Sequence, residues 1–339
     1  MLQKLNTPAR VALLLVLPLL FFFGTLCVGR YHVTPSEVFS ALNGMVTGDH
    51  HGLSNRTFTV IAGVRVPRAL QGLLVGASLA ASGACFQSLF RNPLVSSGML
   101  GVSAGSGFGA ALAILLFSTT AMAPGFSFAF GILAVFLSYL TGKIAGGSPT
   151  VTLVLGGTII QSIFSALLSL LKYVADTDTQ LPAITFWLMG SLASTKTSDF
   201  LFSGLPMIIG LLGMIAVSWR LNILAMGDRE AKTMGLNVGP SKLAVIAFAT
   251  LATAGAVSVS GIIGFVGLIV PHICRMLFGS DNRILVPASI SLGACFMVLV
   301  DTLCRSVTAG EIPLGVVTAI VGGPFFIWLL KRTKGGTWA

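Results

Sequence analysis

A chain of 339 residues with 55% hydrophobic and 9% charged side chains, and a mean hydropathy of +0.94, has too little charge to cover a soluble fold. Its net charge of +10 does not mark a nucleic-acid partner, because the basic residues stand singly between apolar runs and form no patch with interleaved aromatics. Apolar runs near or above the ~18 residues of a membrane span recur along the whole length, and hydrocarbon forces each to satisfy its own backbone as a helix. The expected class is therefore an all-α polytopic membrane protein with one integral domain over residues 1–339.

In chain order the predicted spans are 11–28, 58–86, 94–117, 126–145, 151–174, 199–219, 243–259, 261–274, 284–305 and 312–330, about ten transmembrane helices. The first follows Lys4 and Arg10, exceeds a signal-peptide core and lacks a small-x-small site after it, so it reads as a retained helix. His50 and His51, after Asp49 in the next loop, read as a solvated pair. Arg65 and Arg68, in the first part of span 58–86, stand just before an apolar run, where position alone fits interfacial anchoring as well as contact with a partner.

Between spans six and seven lies GDREAKTMGLNVG, residues 227–239, a charged island. Gly227 can close a short helix Leu221–Met226. Asp228 suits an N-cap, Glu230 the positive first turn, and Gly235 the C′ position. Two short helices outside the bilayer, within about 220–240, are the expectation. Pro271-His272 ends the eighth span, with His272 read as a structural cap because metal binding needs several convergent ligands. Glu311 and Pro313 look like a helix start.

Ten spans put both termini on one side. Of the twenty Lys and Arg, thirteen fall on that side and seven on the other, which makes the terminal side cytoplasmic. Of the ten acidic residues, three lie inside and seven outside. The five cysteines sit in or beside apolar runs without metal-ligand spacing and read as packing residues. The Gly72/Gly76 and Gly101/Gly105/Gly109 spacings let helices approach closely. No phosphate loop, HExxH or nucleophile elbow occurs, and the span centres carry essentially no ionisable residues. The chain is thus expected not to be an enzyme, and an ion-coupled carrier is the weaker alternative.

Four stretches carry a resemblance. They are RVPRALQGLLVGASLAASGACFQSLFRNPLVSSGMLGVSAGSGFG (65–109), GDREAKTMGL (227–236), GIIGFVGLIVPHICRMLFGSDNR (261–283) and EIPLGVVTAIVGGPFFIWLLKR (311–332). Together they resemble the FecCD-type permeases of ABC importers, over about residues 10–332. The resemblance implies a homodimer around a central pathway in a bacterial inner membrane. Cytoplasmic P-loop ATPase subunits would carry ATP and Mg, with no cofactor in this chain, and a periplasmic binding protein would deliver substrate. Ferric siderophore is the first substrate implied, with haem, cobalamin or an oxyanion such as molybdate as alternatives.

The resemblance also implies residue roles. Asp228, Arg229, Glu230, Lys232 and Gly235 match the segment that couples to the ATPase, with Leu221, Leu224, Met234 and Leu236 as its apolar contacts. Arg65, Arg68 and Arg305 match binding-protein docking, where rim charges set register and on-rate. Ser148, Pro149, Thr150 and Val151, with Gly156, Gly157 and Gln161, match the pathway wall and inner gate.

Overall fold

The computed structural model describes residues 7–48, 52–144, 149–195, 197–308 and 310–332. Among these residues every regular element is helical. Helix α1 (Thr7–Cys27) is followed by a short helix α2 (Pro35–Thr47) and by α3 (Asn55–Phe58), which runs through a π-helical stretch (Thr59–Arg65) into α4 (Val66–Leu89). Then come α5 (Val102–Phe117), α6 (Ala123–Ile144), α7 (Pro149–Val174), α8 (Gln180–Met189) and α9 (Thr197–Met226). The chain closes with α10 (Asp228–Thr233), α11 (Val238–Ser260), α12 (Val266–Phe278), α13 (Asn282–Val307) and α14 (Leu314–Arg332).

Among the described residues seven helices are long and apolar enough to cross a membrane, and three shorter apolar ones stand at 102–117, 266–278 and 314–328. Each predicted span falls on one of these ten. Four boundaries need correction. Residues 94–101 are turns, because Asn92-Pro93 breaks the preceding helix and Gly101 takes a left-handed φ of 85° ahead of α5. The sixth span continues to Met226 without a separate Leu221–Met226 helix. Residues 261–264 are not helical, so the eighth span starts at Val266. The last starts at Leu314, with Val316 and Val317 donating to the Pro313 carbonyl, which leaves Glu311 ahead of the helix. Two helices, α2 and α8, were not predicted.

Helix α4 is the axis of the fold. All but three of its residues are buried, against α13, α9, α11 and α12. Small residues allow this crowding. A Cβ on Gly76 would stand 2.1 Å from the Gly293 carbonyl oxygen of α13, and one on Gly83 would stand 1.9 Å from the Gly267 oxygen of α12. The backbones touch, which is how helices associate where lipid offers no hydrophobic drive.

Helix α12, with 13 residues, is ~20 Å long and does not span ~30 Å of hydrocarbon. The irregular segment 261–265 therefore lies at membrane depth, where backbone groups must be satisfied by protein. Ser191 N donates to Ser260 O at 2.9 Å and Leu314 N donates to Gly190 O at 2.9 Å, tying together the ends of α8, α11 and α14. Phe265 holds φ 65° here, a conformation that a bulky residue keeps only when its surroundings enforce it.

Candidate functional site

Two polar clusters stand at opposite ends of the α4 axis, and a third set of residues lies on α7, which packs against α5 and α6. The first cluster gathers around α10. Gly227 takes φ 136°, and a Cβ there would lie 2.1 Å from Glu230 Oε2, so the α9–α10 corner requires glycine. Asp228 follows at the first helical position instead of the predicted cap, and its Oδ2 accepts from Lys242 Nζ of α11 at 2.7 Å. At the other end Leu236 N donates to Ala231 O and Gly235 N to Lys232 O, both at 3.0 Å, with Gly235 at φ 79°. This is a Schellman closure with Gly235 at C′, as the sequence predicted.

Ala231 is buried and Leu236 packs beside it, while Arg229, Glu230, Lys232 and Met234 (58% exposed) face outward. Leu221 and Leu224 do not. Both are fully buried in the core beside Phe90, Ala231 and Val286, since α9 continues past the expected break. They anchor the segment from within and offer nothing to a partner.

A second set of hydrogen bonds, missed from sequence, seats this end on the helix bundle. Asn222 Nδ2 of α9 donates to Asp281 Oδ1 at 2.6 Å, and Asn222 Oδ1 accepts from Asn282 N and Nδ2 at 2.8 and 2.9 Å. Asn282 Oδ1 accepts from Ser88 Oγ of α4 at 2.7 Å. Burial pushes the Asp281 carboxyl up, but donation from Asn222 and Arg283 outweighs it and leaves the group below its ordinary pKa. Arg275 donates to Gln87 Oε1, and Gln87 Nε2 to Gly267 O at 3.1 Å. His272 sits against Phe325, consistent with a packing role, and no group of three metal-ligating side chains exists among the described residues.

The second cluster brings together Arg65, Arg68 and Arg305. Arg68 Nε and Nη2 donate to Asp301 of α13 at 2.8 to 3.1 Å, and Nη1 and Nη2 to Glu311 at 2.8 and 2.9 Å. Arg305 Nε lies 3.9 Å from Asp301 Oδ2, and its Nη2 donates to Thr25 Oγ1 at 2.8 Å. Arg65 donates to the carbonyls of Leu26 and Tyr31. Arg65 and Arg68 are only 5% and 8% exposed. The arginines expected on an open rim are therefore enclosed and hold partners within the chain. Arg68 and Arg305 face the two carboxylates while Arg65 is held by carbonyls, and exposed Arg30, which donates to Thr308 O, adds a fourth positive charge near Glu311. The Arg68 hydrogen bond, with the nearby arginine charges, holds Glu311 below the usual carboxylate range.

Helix α7 carries the third set. Pro149 and Thr150 open it, while Ser148, like His50 and His51, lies outside the described residues. Val151 and Gln161 are exposed. Gly156 and Gly157 do not line an open surface: Cβ atoms there would stand 2.6 Å from Ser138 O and 2.7 Å from Met99 O, so both serve packing. The bare surface of α7 includes the row Val151, Leu155, Thr158, Ser162, Ser165 and Ser169, in alternating steps of four and three residues, with exposed Ile159, Ile163 and Leu170 beside it. Thr158, Ser162 and Ser169 donate to carbonyls four residues back, so their hydroxyls need no outside partner.

A family model described as the FecCD transport family matches residues 14–332. The chain belongs to that family. It is a multi-pass permease of the ABC-importer class, and members of this class are membrane components that are not themselves catalytic. The molybdate import system permease protein MolB of Haemophilus influenzae is 38% identical over 96% of this chain and 95% of its own length. The cobalamin import system permease protein BtuC of Halobacterium salinarum is 38% identical over 83% of this chain and 75% of its own. The hemin transport system permease protein HmuU of Yersinia pestis is 38% identical over 80% and 83%. A solved metal-chelate type ABC transporter in an inward-facing conformation superposes with a TM-score of 0.84 at 36% identity, covering 96% of this chain and 99% of that one.

Proposed function

We propose that this FecCD permease is the translocating half of an ATP-driven importer that brings a metal across a bacterial inner membrane in chelated or oxyanionic form. The observation that carries the reading is α10, a capped charged helix fixed to α11 by Lys242–Asp228 and to the core by Ala231. A loop needs no such fixing, whereas an element that receives force from a partner does. Arg229, Glu230, Lys232 and Met234 form its outward surface and meet a P-loop ATPase, which supplies ATP and Mg; Asp228 and Gly235 hold the shape, with Leu221, Leu224 and Leu236 beneath.

At the other end the surplus charge of Arg65, Arg68 and Arg305 receives carboxylates of a periplasmic binding protein. Since Glu311 already holds Arg68, docking proceeds by exchange of one carboxylate for another. Two copies of the chain place their α7 faces around the pathway, where self-satisfied hydroxyls give a wall that does not hold the substrate. Relatives named for molybdate, cobalamin and hemin share the same identity with this chain, so discrimination rests with the binding protein. A ferric siderophore is the first substrate to assay and molybdate the second.

The experiment is purification of the tagged chain in mild detergent, followed by uptake in proteoliposomes with and without internal ATP. A copurifying ATPase whose association is lost with Arg229→Glu and Glu230→Arg supports the reading. Uptake driven by an ion gradient without any ATPase overturns it.

A further inference from the structure

Helix α2 is the best-formed element that this account leaves unused. It starts with a capping box, in which Glu37 N donates to the Thr34 hydroxyl and Thr34 N to Glu37 Oε2 at 2.7 Å, and it stops at Gly48 with φ 76°. Such defined ends belong to a helix with a set position, not to a wandering loop. At about 100° per residue its side chains divide into three arcs. Val38, Ala41 and Gly44 are buried and pack towards Leu26, Val33, Ile61 and Val66. Ser36, Ser40, Asn43 and Thr47 share a polar arc. Between polar and packed arcs lies an apolar one, Leu42, Phe39 and Val46, in which Phe39 is 75% and Val46 86% exposed.

Two sectors would suffice for a helix lying on a protein in water. Three sectors, protein, apolar and polar, fit a helix lying where protein, hydrocarbon and water meet. Neighbouring features set its level. Helix α1 presents bare Leu19, Leu20 and Phe23 along its length and ends at Cys27, seven residues before Thr34. Beside it the Arg56 guanidinium lies 5.4 Å from the Tyr31 ring centroid, the aromatic and basic pairing typical of the membrane boundary. The apolar arc of α2 thus continues the lipid-facing surface of α1.

We infer that α2 is an interfacial helix whose Phe39–Leu42–Val46 arc inserts into the leaflet on the side opposite the termini, holding the nearby arginine cluster at a fixed height above the bilayer. Arg65 links the cluster to the connection that leads into α2, since it donates to Leu26 O in the last turn of α1 and to Tyr31 O between α1 and α2.

The test uses the full-length permease in nanodiscs of phosphatidylethanolamine and phosphatidylglycerol. Cys27→Ser removes the one cysteine that is not buried. A nitroxide is then attached singly at Phe39→Cys, Val46→Cys, Ser36→Cys and Asn43→Cys, and its relaxation by oxygen and by a water-soluble nickel chelate is compared. The inference expects oxygen to dominate at 39 and 46 and nickel at 36 and 43, a reversal of sign within one helix. Nickel dominance at all four positions overturns it. So does shielding of 39 and 46 from both reagents in the lone permease, which would mean a second copy covers them. Shielding that appears only on adding the binding protein overturns it too, and makes the arc a docking surface.

Discussion

Removing the Asp301 carboxylate tests the outer cluster most sharply. Asp301 is 4% exposed, accepts from two nitrogens of Arg68 and stands 3.9 Å from Arg305. Asp301→Ala leaves two enclosed guanidinium groups with Glu311 as their remaining carboxylate, and Glu311 sits at the partly open edge. Breaking a buried pair by deleting one partner costs about 3–5 kcal/mol. Glu311→Gln removes a half-open charge, whose exposed side is screened, and costs ~1 kcal/mol or less. Replacing both members, Arg68→Leu with Asp301→Leu, removes the stranded charge along with its partner and recovers most of the loss, because an apolar pair of similar size is often neutral. Unfolding in mixed micelles of increasing SDS, followed by tryptophan fluorescence, gives the three values. A cost for Asp301→Ala below ~1 kcal/mol, or a double variant no more stable than the single one, would refute the burial argument.

Gly76→Ala drives a methyl into the Gly293 carbonyl and destabilises by about 1–3 kcal/mol in the same assay, with loss of purified yield as the early sign. Gly235→Ala meets no neighbour within 4 Å, so its cost of about 1–2 kcal/mol is backbone strain alone at φ 79°. Hydrogen exchange should speed up at the amides of residues 235 and 236 and leave α4 unchanged. For pH, the folded-state pKa of Glu311 is depressed, so its stabilising contribution is complete above the ordinary carboxylate pKa and is lost as pH falls through the depressed value. Melting curves from neutral to acid pH should therefore show the wild type converging on Glu311→Gln.

The spans were legible because apolar length is a one-dimensional signal, and so was the C-terminal cap of α10, since Gly235 acts on the residues just before it, whereas the N-cap falls on Gly227 and not on Asp228. Apolar residues that do not form helix were harder to read. Val95 and Leu100 are as oily as any helix residue, yet Gly98 and Gly101 turn the chain there. Asn222 was read only as part of a short helix Leu221–Met226 and is instead the acceptor that holds α9 to α13. Position also misled for the arginines: Arg68 meets Asp301 and Glu311 across 233 and 243 residues, a pairing that spacing along one chain does not encode. Gly156 and Gly157, expected on the pathway wall, lie on the packed side of α7, because a glycine carries no pattern that tells one face from the other.

Helices α4 and α13 are bolted together at both ends. Ser88 joins Asn282 at one end, Arg68 joins Asp301 at the other, and between them the backbones touch at Gly76 and Gly293. From Arg68 to Ser88 is ~30 Å of helix, the thickness of the hydrocarbon. A pair fixed in this way tilts or shifts together, as a single rod. A displacement at the Ser88–Asn282 end would then be carried along the pair to the Arg68–Asp301 end. A disulfide cross-link between α4 and α13 should therefore leave transport intact.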